Sequence, residues 1–132
     1  MDKNELEERT KHFALRVIKF VANLPRNRIT DVLGYQLLKA GTSIGANYRE
    51  ANRAESKKDF IHKIGIVTKE AAETQYWMEL FDGSRLEFEN SVSKIEVVKP
   101  EHLDELSWLL NESGELLAIF TAIGKTSKRG KM

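Results

Sequence analysis

The residues able to do chemistry are few, and their spacing does not form a catalytic or metal site. Ser43 lies in the stretch Gly-Thr-Ser-Ile-Gly, but no strand precedes it, as a nucleophile elbow requires, and no lysine follows, as in a phosphate-binding loop. A serine inside a helix instead bonds back to its own backbone. The chain has no cysteine, and a carboxylate three residues ahead of a histidine occurs once, in Asp59–His62. Because a di-iron bundle needs two Glu-x-x-His pairs and two further glutamates, we expect no catalytic residue, no metal and no cofactor.

Basic residues are the one group whose spacing favours a function. Residues 9–28 contain six basic residues and no acid. A stripe of polar residues recurs there every three or four positions, as neighbours on one helix face do: Arg9, His12, Arg16, Lys19, Asn23 and Arg26. Such a stripe would contact the phosphates of a nucleic acid, dock on an acidic helix of a neighbouring subunit, or remain solvated, and the sequence weighs these equally. Further basic residues follow between residues 49 and 58. The candidates for nucleic-acid binding are Arg9, Arg16, Lys19, Arg26, Arg49, Arg53 and Lys57.

Four stretches with apolar residues at helical spacing must position these side chains. No pair of strands is indicated, so the pattern predicts an all-α fold. Each stretch is bounded by residues that start or stop helices. The four helices are expected at about 5–23, from Thr30 as N-cap to just before Ser56, from Ser56 to Asp82-Gly83, and from Pro100 to a last turn closed by Lys125 and Lys128.

The connections between these helices are mostly short, which predicts an antiparallel up-down four-helix bundle. We expect one domain over residues 1–126 and a basic, disordered tail over residues 127–132. Residues 84–99 have no helical period and are expected to form a loop.

Two glycines lie one turn apart inside the second predicted helix, at Gly41 and Gly45. Each glycine in a helix interior costs about 1 kcal/mol relative to alanine. Both belong to a stripe with Gly34 and Tyr48, one residue along from the core seam of the helix. Such a stripe lets a neighbouring backbone approach closely, and the resulting dispersion contacts recover the lost propensity. We therefore interpret Gly41 and Gly45 as positions of close helix packing.

The fourth predicted helix is apolar on nearly every side. One face, which includes Leu106, Leu110 and Phe120, is expected to enter the core. The apolar residues off that face would be exposed in a monomer, and so large an apolar patch usually marks a partner surface. We therefore predict a homo-oligomer whose interface includes Trp108, Leu109, Leu116, Ile119 and Ile123.

The composition also limits where the protein acts. No apolar run approaches the roughly 18 residues of a membrane span. The N-terminal residues lack the basic and then apolar order of a signal peptide. We therefore expect a cytoplasmic protein without a membrane partner.

Two blocks of sequence, residues 36–80 and 111–128, carry a recognisable pattern. In the first block the pattern consists of Gln36, Ser43-Ile44, Asn47, Glu50-Ala51, Ser56, Phe60, Lys69-Glu70 and Glu73-Thr-Gln-Tyr-Trp77. The second block reads NESGELLAIFTAIGKTSK. These residues resemble the 23S rRNA-intervening sequence protein family. Residues 84–99 depart from the pattern, because relatives usually have a shorter connection there.

The resemblance implies a helical bundle that assembles into a ring-like homo-oligomer, often a pentamer, and it supplies no catalytic residue. Some relatives are encoded within bacterial 23S rRNA genes. A related group, the accessory proteins of retroelements, binds nucleic acid and a reverse transcriptase through a basic surface. The sequence and the resemblance together predict a non-enzymatic homo-oligomer that binds RNA or a nucleoprotein partner. The alternative is a structural scaffold or protein–protein adaptor that does not bind nucleic acid.

Overall fold

The computed structural model describes residues 1–130, and every regular element within them is helical. In chain order the elements are α1 (Lys3–Ala22), α2 (Arg28–Ala51), α3 (Lys57–Glu89), a 3₁₀ turn (Pro100–His102) and α4 (Leu103–Arg129). Each α-helix packs on the next one along the chain, and α4 returns to pack on α1. The predicted all-α four-helix bundle is therefore confirmed.

Polar side chains cap the starts of α1, α2 and α3. Asp2 and Ser56 each accept a hydrogen bond from the backbone N–H three residues further on, and this start of α3 is the predicted one. The start of α2 differs from the prediction, because Asn27 is the N-cap and Thr30 is the third helical residue. The two side chains form a capping box, in which each accepts a hydrogen bond from the backbone of the other.

α3 continues to Glu89 and does not end at Asp82-Gly83, as the sequence predicted. No glycine within residues 1–130 has the positive φ that usually ends a helix, so Gly83 simply continues the helix. Arg85 forms an ion pair with Asp82 one turn earlier, with its Nη2 2.9 Å from Oδ1. Phe88 packs against the core. The burial of that ring offsets the loss of about 1 kcal/mol that a helical glycine brings.

The predicted loop consequently begins at residue 90 and not at residue 84. It is anchored to the core and to the start of α2. Val97 and Val98 are buried in the core. The Asn27 side chain donates a hydrogen bond of 2.9 Å from Nδ2 to the backbone carbonyl of Glu96, which ties this segment to the start of α2. These contacts fix the position of the connection between α3 and α4.

All four helices contribute apolar side chains to one continuous core. Aromatic rings meet edge to face near each end of it, with centroids 5.6 Å apart for Phe20 and Phe81 and 5.1 Å apart for Tyr48 and Phe120. The largest fully buried side chains are Phe13, Phe81, Phe120, Leu37, Ile44, Ile64, Met78, Leu106, Leu109, Leu116, Val17 and Val67.

The glycine stripe of α2 lies directly against α1. A Cβ atom placed on Gly41 would be 3.1 Å from both Cγ atoms of Val17, and one placed on Gly45 would be 3.0 Å from Oγ1 of Thr10. The pairing of 17 with 41 and of 10 with 45 shows that α1 and α2 run antiparallel. The absence of side chains at the two glycines is therefore what lets the two helices approach each other this closely.

The last helix extends further than the sequence indicated. α4 continues to Arg129, so residues 127–129, which were assigned to a disordered tail, belong to a helix. The final two positions of that tail, 131 and 132, lie outside the described residues. Within residues 1–130 no helix is both long enough and apolar enough to cross a membrane.

Candidate nucleic-acid interface

Arg9, the first member of the predicted basic stripe, is held by two glutamates of α4. Its Nε lies 2.7 Å from Oε2 of Glu112, and its Nη2 lies 2.8 Å from the other carboxylate oxygen of the same residue. The Nη2 group also donates to Glu115 at 3.0 Å. The hydrogen bonds with Glu112 raise the pKa of Arg9 above its ordinary value.

Arg16 repeats this arrangement two turns along α1. Its Nε lies 2.8 Å from Oε2 of Glu105, and its Nη2 donates to the second carboxylate oxygen. The guanidinium carbon also lies 3.5 Å from the centre of the Trp108 ring, which the His12 ring meets edge on at 5.9 Å. The hydrogen bonds from Arg16 lower the pKa of Glu105 below its ordinary value. We name these contacts, formed by Arg9, Arg16, Glu105, Trp108 and Glu112, the α1–α4 clasp.

The clasp changes the interpretation of the basic stripe. Docking on an acidic helix was one of the three functions expected for it, and here the acidic helix is α4 of the same chain. Arg26 is also paired, with its Nε 3.2 Å from Oδ1 of Asp31. Of the four candidates on or just after α1, Lys19 alone is exposed without an ion pair within residues 1–130. Arg9 and Arg16 are therefore engaged by glutamates of the same chain, whereas Arg26 is 85% exposed and forms one ion pair at the surface.

The remaining candidates come together at one end of the bundle. Arg49 lies in the last turn of α2, Arg53 in the connection that follows, and Lys57 at the start of α3. The end of α4 lies beside them, because a Cβ atom on Gly130 would be 3.1 Å from Nζ of Lys57. We name this surface the basic end. All its cations are exposed and none forms an ion pair within residues 1–130: Arg49, Arg53, Lys57, Lys58, Lys125, Lys128 and Arg129.

The helix dipoles at the basic end do not explain all of these cations. The last turns of α2 and α4 carry partial negative charge, so Arg49, Lys128 and Arg129 stabilise the helices they terminate. Lys57 and Lys58 occupy the first turn of α3, where the partial charge is positive and a cation is unfavourable. An anion bound at the basic end would be attracted both by these two lysines and by the start of α3.

Lys58, Lys125, Lys128 and Arg129 were not among the sequence-predicted site residues. The signal that could have found them is the topology. In an up-down bundle the end of the second helix, the start of the third and the end of the fourth lie at the same end. Three separate basic segments of the sequence are therefore one surface of the folded molecule.

The predicted oligomer interface on α4 needs correction. Leu109 and Leu116 are fully buried in the core of a single chain, so neither lies on an exposed patch. Trp108 is half-buried beneath Arg16 in the clasp, and Ile119 and Ile123 are half-buried against the core. The helix is apolar on most sides because it packs against α1 and α3 at once.

Several exposed apolar residues lie together on the outer face of α1 and α2. Leu15 and Ile18 are 55% and 45% exposed and share one face of α1 with Ala22. Ala22 lines a groove that continues onto α2 through Tyr35, which is 61% exposed, and Leu38. We name these five residues the α1/α2 face.

The fold and its surfaces define a class: a small four-helix bundle with one basic end and one apolar outer face. The chain belongs to the 23S rRNA-intervening sequence protein family, whose model matches residues 2–118. The predicted resemblance is therefore confirmed.

A solved structure of the same kind is similar to this chain. It is the crystal structure of a protein with unknown function from the S23 ribosomal protein family of Bacteroides thetaiotaomicron VPI-5482. The two chains are 33% identical, and the match covers 95% of this chain and 99% of that one with a TM-score of 0.75. Among curated proteins, no match was found.

Proposed function

We propose that this protein is a non-enzymatic, cytoplasmic helical bundle that binds RNA through its basic end. The observation that carries the proposal is the convergence of exposed, unpaired cations from three helices at one surface, together with Lys57 and Lys58 at a helix start that disfavours cations. The first turn of α3 also contains the acid Asp59, as the helix dipole favours, so Lys57 and Lys58 are the residues there that stability of the helix does not explain.

The local charge balance also supports contact with a polyanion. Between residues 49 and 63 the acids are Glu50, Glu55 and Asp59, against five basic residues. Asp59 is engaged by Lys63, whose Nζ lies 3.2 Å from Oδ2. The last turns of α4 add three basic residues and no acid. This excess persists although the whole chain carries a net charge of only +1.

The test is the affinity for a labelled structured RNA, measured by fluorescence anisotropy at about 50 and 200 mM salt. A protein that neutralises about four phosphates should lose on the order of 100-fold in affinity between these concentrations. The double variant Lys57→Glu with Lys128→Glu should abolish binding, because it reverses two charges of the basic end.

A matched control separates a local site from the effect of net charge. Lys69→Glu with Lys94→Glu changes the net charge equally, at two exposed positions away from the basic end. This control variant should bind within about threefold of the unmodified protein at the same salt. Equal losses in the two variants, or no RNA binding by the unmodified protein, would contradict the proposal.

A second candidate function is self-assembly into a scaffold, and the α1/α2 face is the observation that favours it. Its apolar side chains are exposed on two adjacent helices, and contiguous exposed apolar surface typically marks a contact with another protein. We propose a homo-oligomer built through this face and not through α4. RNA binding and assembly use different surfaces, so one molecule is able to do both.

A further inference from the structure

We infer that the basic end recognises the phosphate backbone of double-stranded RNA and does not read bases. This inference rests on the proposed function and names the form of RNA that the site takes. It follows from two properties of the surface: the rigidity of the elements that carry its cations, and the lack of an exposed aromatic platform among them.

Regular helices fix the backbone positions that carry most of the cations. Lys57 and Lys58 belong to the first turn of α3, Arg49 to the last turn of α2, and Lys128 to the last turn of α4. The start of α3 and the end of α4 lie against each other at Lys57 and Gly130. A duplex presents phosphates in a regular array, with about twice the charge density of one strand.

Proteins that prefer single strands stack the bases on exposed aromatic side chains. Within residues 1–130, the aromatic rings nearest the cations face inward: Tyr48 and Phe120 are buried, and Phe60 packs against the core. Tyr35 and Tyr76, the tyrosines that are exposed, lie elsewhere. Tyr35 is about 24 Å from the end of α2, and Tyr76 about 28 Å from the start of α3, at 1.5 Å per residue.

His62 is the ring that comes closest to an exception. It is exposed one turn beyond Lys58. A single imidazole does not provide the run of stacked bases that single-strand binding requires. The surface thus offers charge and fixed geometry for a backbone, and it offers no groups placed to distinguish one base from another.

The experiment compares three labelled probes of about 20 nucleotides per strand with the full chain at about 100 mM salt. Two are RNA duplexes of unrelated sequence, and the third is single-stranded oligouridylate. We expect both duplexes to bind with dissociation constants within about twofold of each other and about tenfold tighter than the single strand. Lys57→Glu with Lys128→Glu should abolish all binding, whereas Lys69→Glu with Lys94→Glu should preserve the order of the three probes.

The outcomes separate this inference from the proposed function. Binding of oligouridylate as tight as that of the duplexes, or a difference of more than tenfold between the two duplex sequences, overturns the inference and leaves RNA binding intact. Failure of all three probes to bind overturns both. A duplex preference that survives Lys57→Glu with Lys128→Glu also overturns the inference, because the recognition would then lie elsewhere.

Discussion

Gly41 and Gly83 are both helical glycines, yet a methyl group would meet different surroundings at each. At Gly41 it would lie 3.1 Å from Val17, whose side chain is fully buried. A valine in a helix is restricted almost to one rotamer, so Val17 cannot turn away. At Gly83 nothing lies within 4 Å of the position that a Cβ would take. The same residue type therefore serves close packing at one site and at the other occupies a helical position where a methyl group would meet nothing.

We expect Gly83→Ala to raise the free energy of unfolding by about 1 kcal/mol, which is the difference in helix propensity. Gly41→Ala gains the same propensity but must displace α1, and overpacking of a tight contact costs about 1–3 kcal/mol. Its free energy of unfolding should therefore be unchanged or lower than that of the parent protein. Urea denaturation followed by circular dichroism measures both values. A stabilisation of Gly41→Ala equal to that of Gly83→Ala would contradict the close packing of α1 on α2.

At the scale of whole helices, the α1–α4 clasp joins the first helix to the last through charge. Arg9 and Arg16 lie seven positions apart on α1, and Glu112 and Glu105 lie seven positions apart on α4. The antiparallel pairing of two such sets aligns both ion pairs and places Trp108 between them. Since seven residues are close to two helical turns, this geometry also fixes the register of the two helices.

The clasp should make stability depend on the pairing of Arg16 with Glu105 more than on either residue alone. We expect Arg16→Gln to lower the free energy of unfolding by about 1 kcal/mol, because it leaves a half-buried carboxylate without its partner. The exchanged protein, Arg16→Glu with Glu105→Arg, should be more stable than Arg16→Glu alone, since the charges again attract. Urea denaturation gives the comparison. An exchanged protein less stable than Arg16→Glu alone would contradict the pairing.

The same pair predicts a dependence of stability on pH. Hydrogen bonds from Arg16 lower the pKa of Glu105 in the folded protein below its ordinary value of 4.5. The unfolded chain therefore binds the proton more readily, and the stabilising contribution is complete above about pH 5 and lost as the pH falls through the folded pKa. Between pH 6 and pH 3, Glu105→Gln should lose less stability than the unmodified protein. Identical slopes of unfolding free energy against pH for the two proteins would show that the pair contributes nothing.

The element scale also shows which parts of the fold can be read from the sequence. The cap at Ser56 and the helical spacing of apolar residues in the first three stretches are local patterns, and the structure has three helices there. The register of α4 was missed in part, because a helix that is apolar on most sides has no single seam that periodicity can select. The predicted core face included Leu110, which is half-buried, and left out Leu109 and Leu116, which are fully buried. The rotation of α4 is set by its contacts with α1 and α3, which the sequence of α4 alone does not contain.

For the molecule as a whole, folding rearranges charge that the sequence shows only as segments. The basic stripe of α1 was the most visible feature of the sequence, and Arg9 and Arg16 within it pair with acids that lie 89 to 106 residues further along the chain. The basic end, by contrast, is assembled from shorter segments that are each diluted by acids or placed near the end of the chain. Sequence distance therefore separated the members of the basic end, of which Arg49, Arg53 and Lys57 were predicted, and concealed the ion pairs of Arg9 and Arg16.

The location of the apolar surface gives the remaining prediction at this scale. Leu15→Glu with Ile18→Glu places two charges on the α1/α2 face without touching the core, since both side chains are about half exposed. If the unmodified protein is an oligomer built through this face, the variant should have a smaller mass by light scattering, because each contact would bury charges without partners. Leu116→Glu cannot serve for this purpose, because it would place a charge in the core and unfold the chain.

The control variant is Leu86→Glu with Val92→Glu, which introduces the same charges at two exposed apolar positions outside the α1/α2 face. It should keep the mass of the unmodified protein. A mass that changes in the control and not in Leu15→Glu with Ile18→Glu would move the interface to the end of α3, and a monomeric unmodified protein would contradict assembly altogether. Because the basic end lies on other residues, the Leu15→Glu with Ile18→Glu variant should still bind duplex RNA, although with the lower apparent affinity expected when several sites no longer act together.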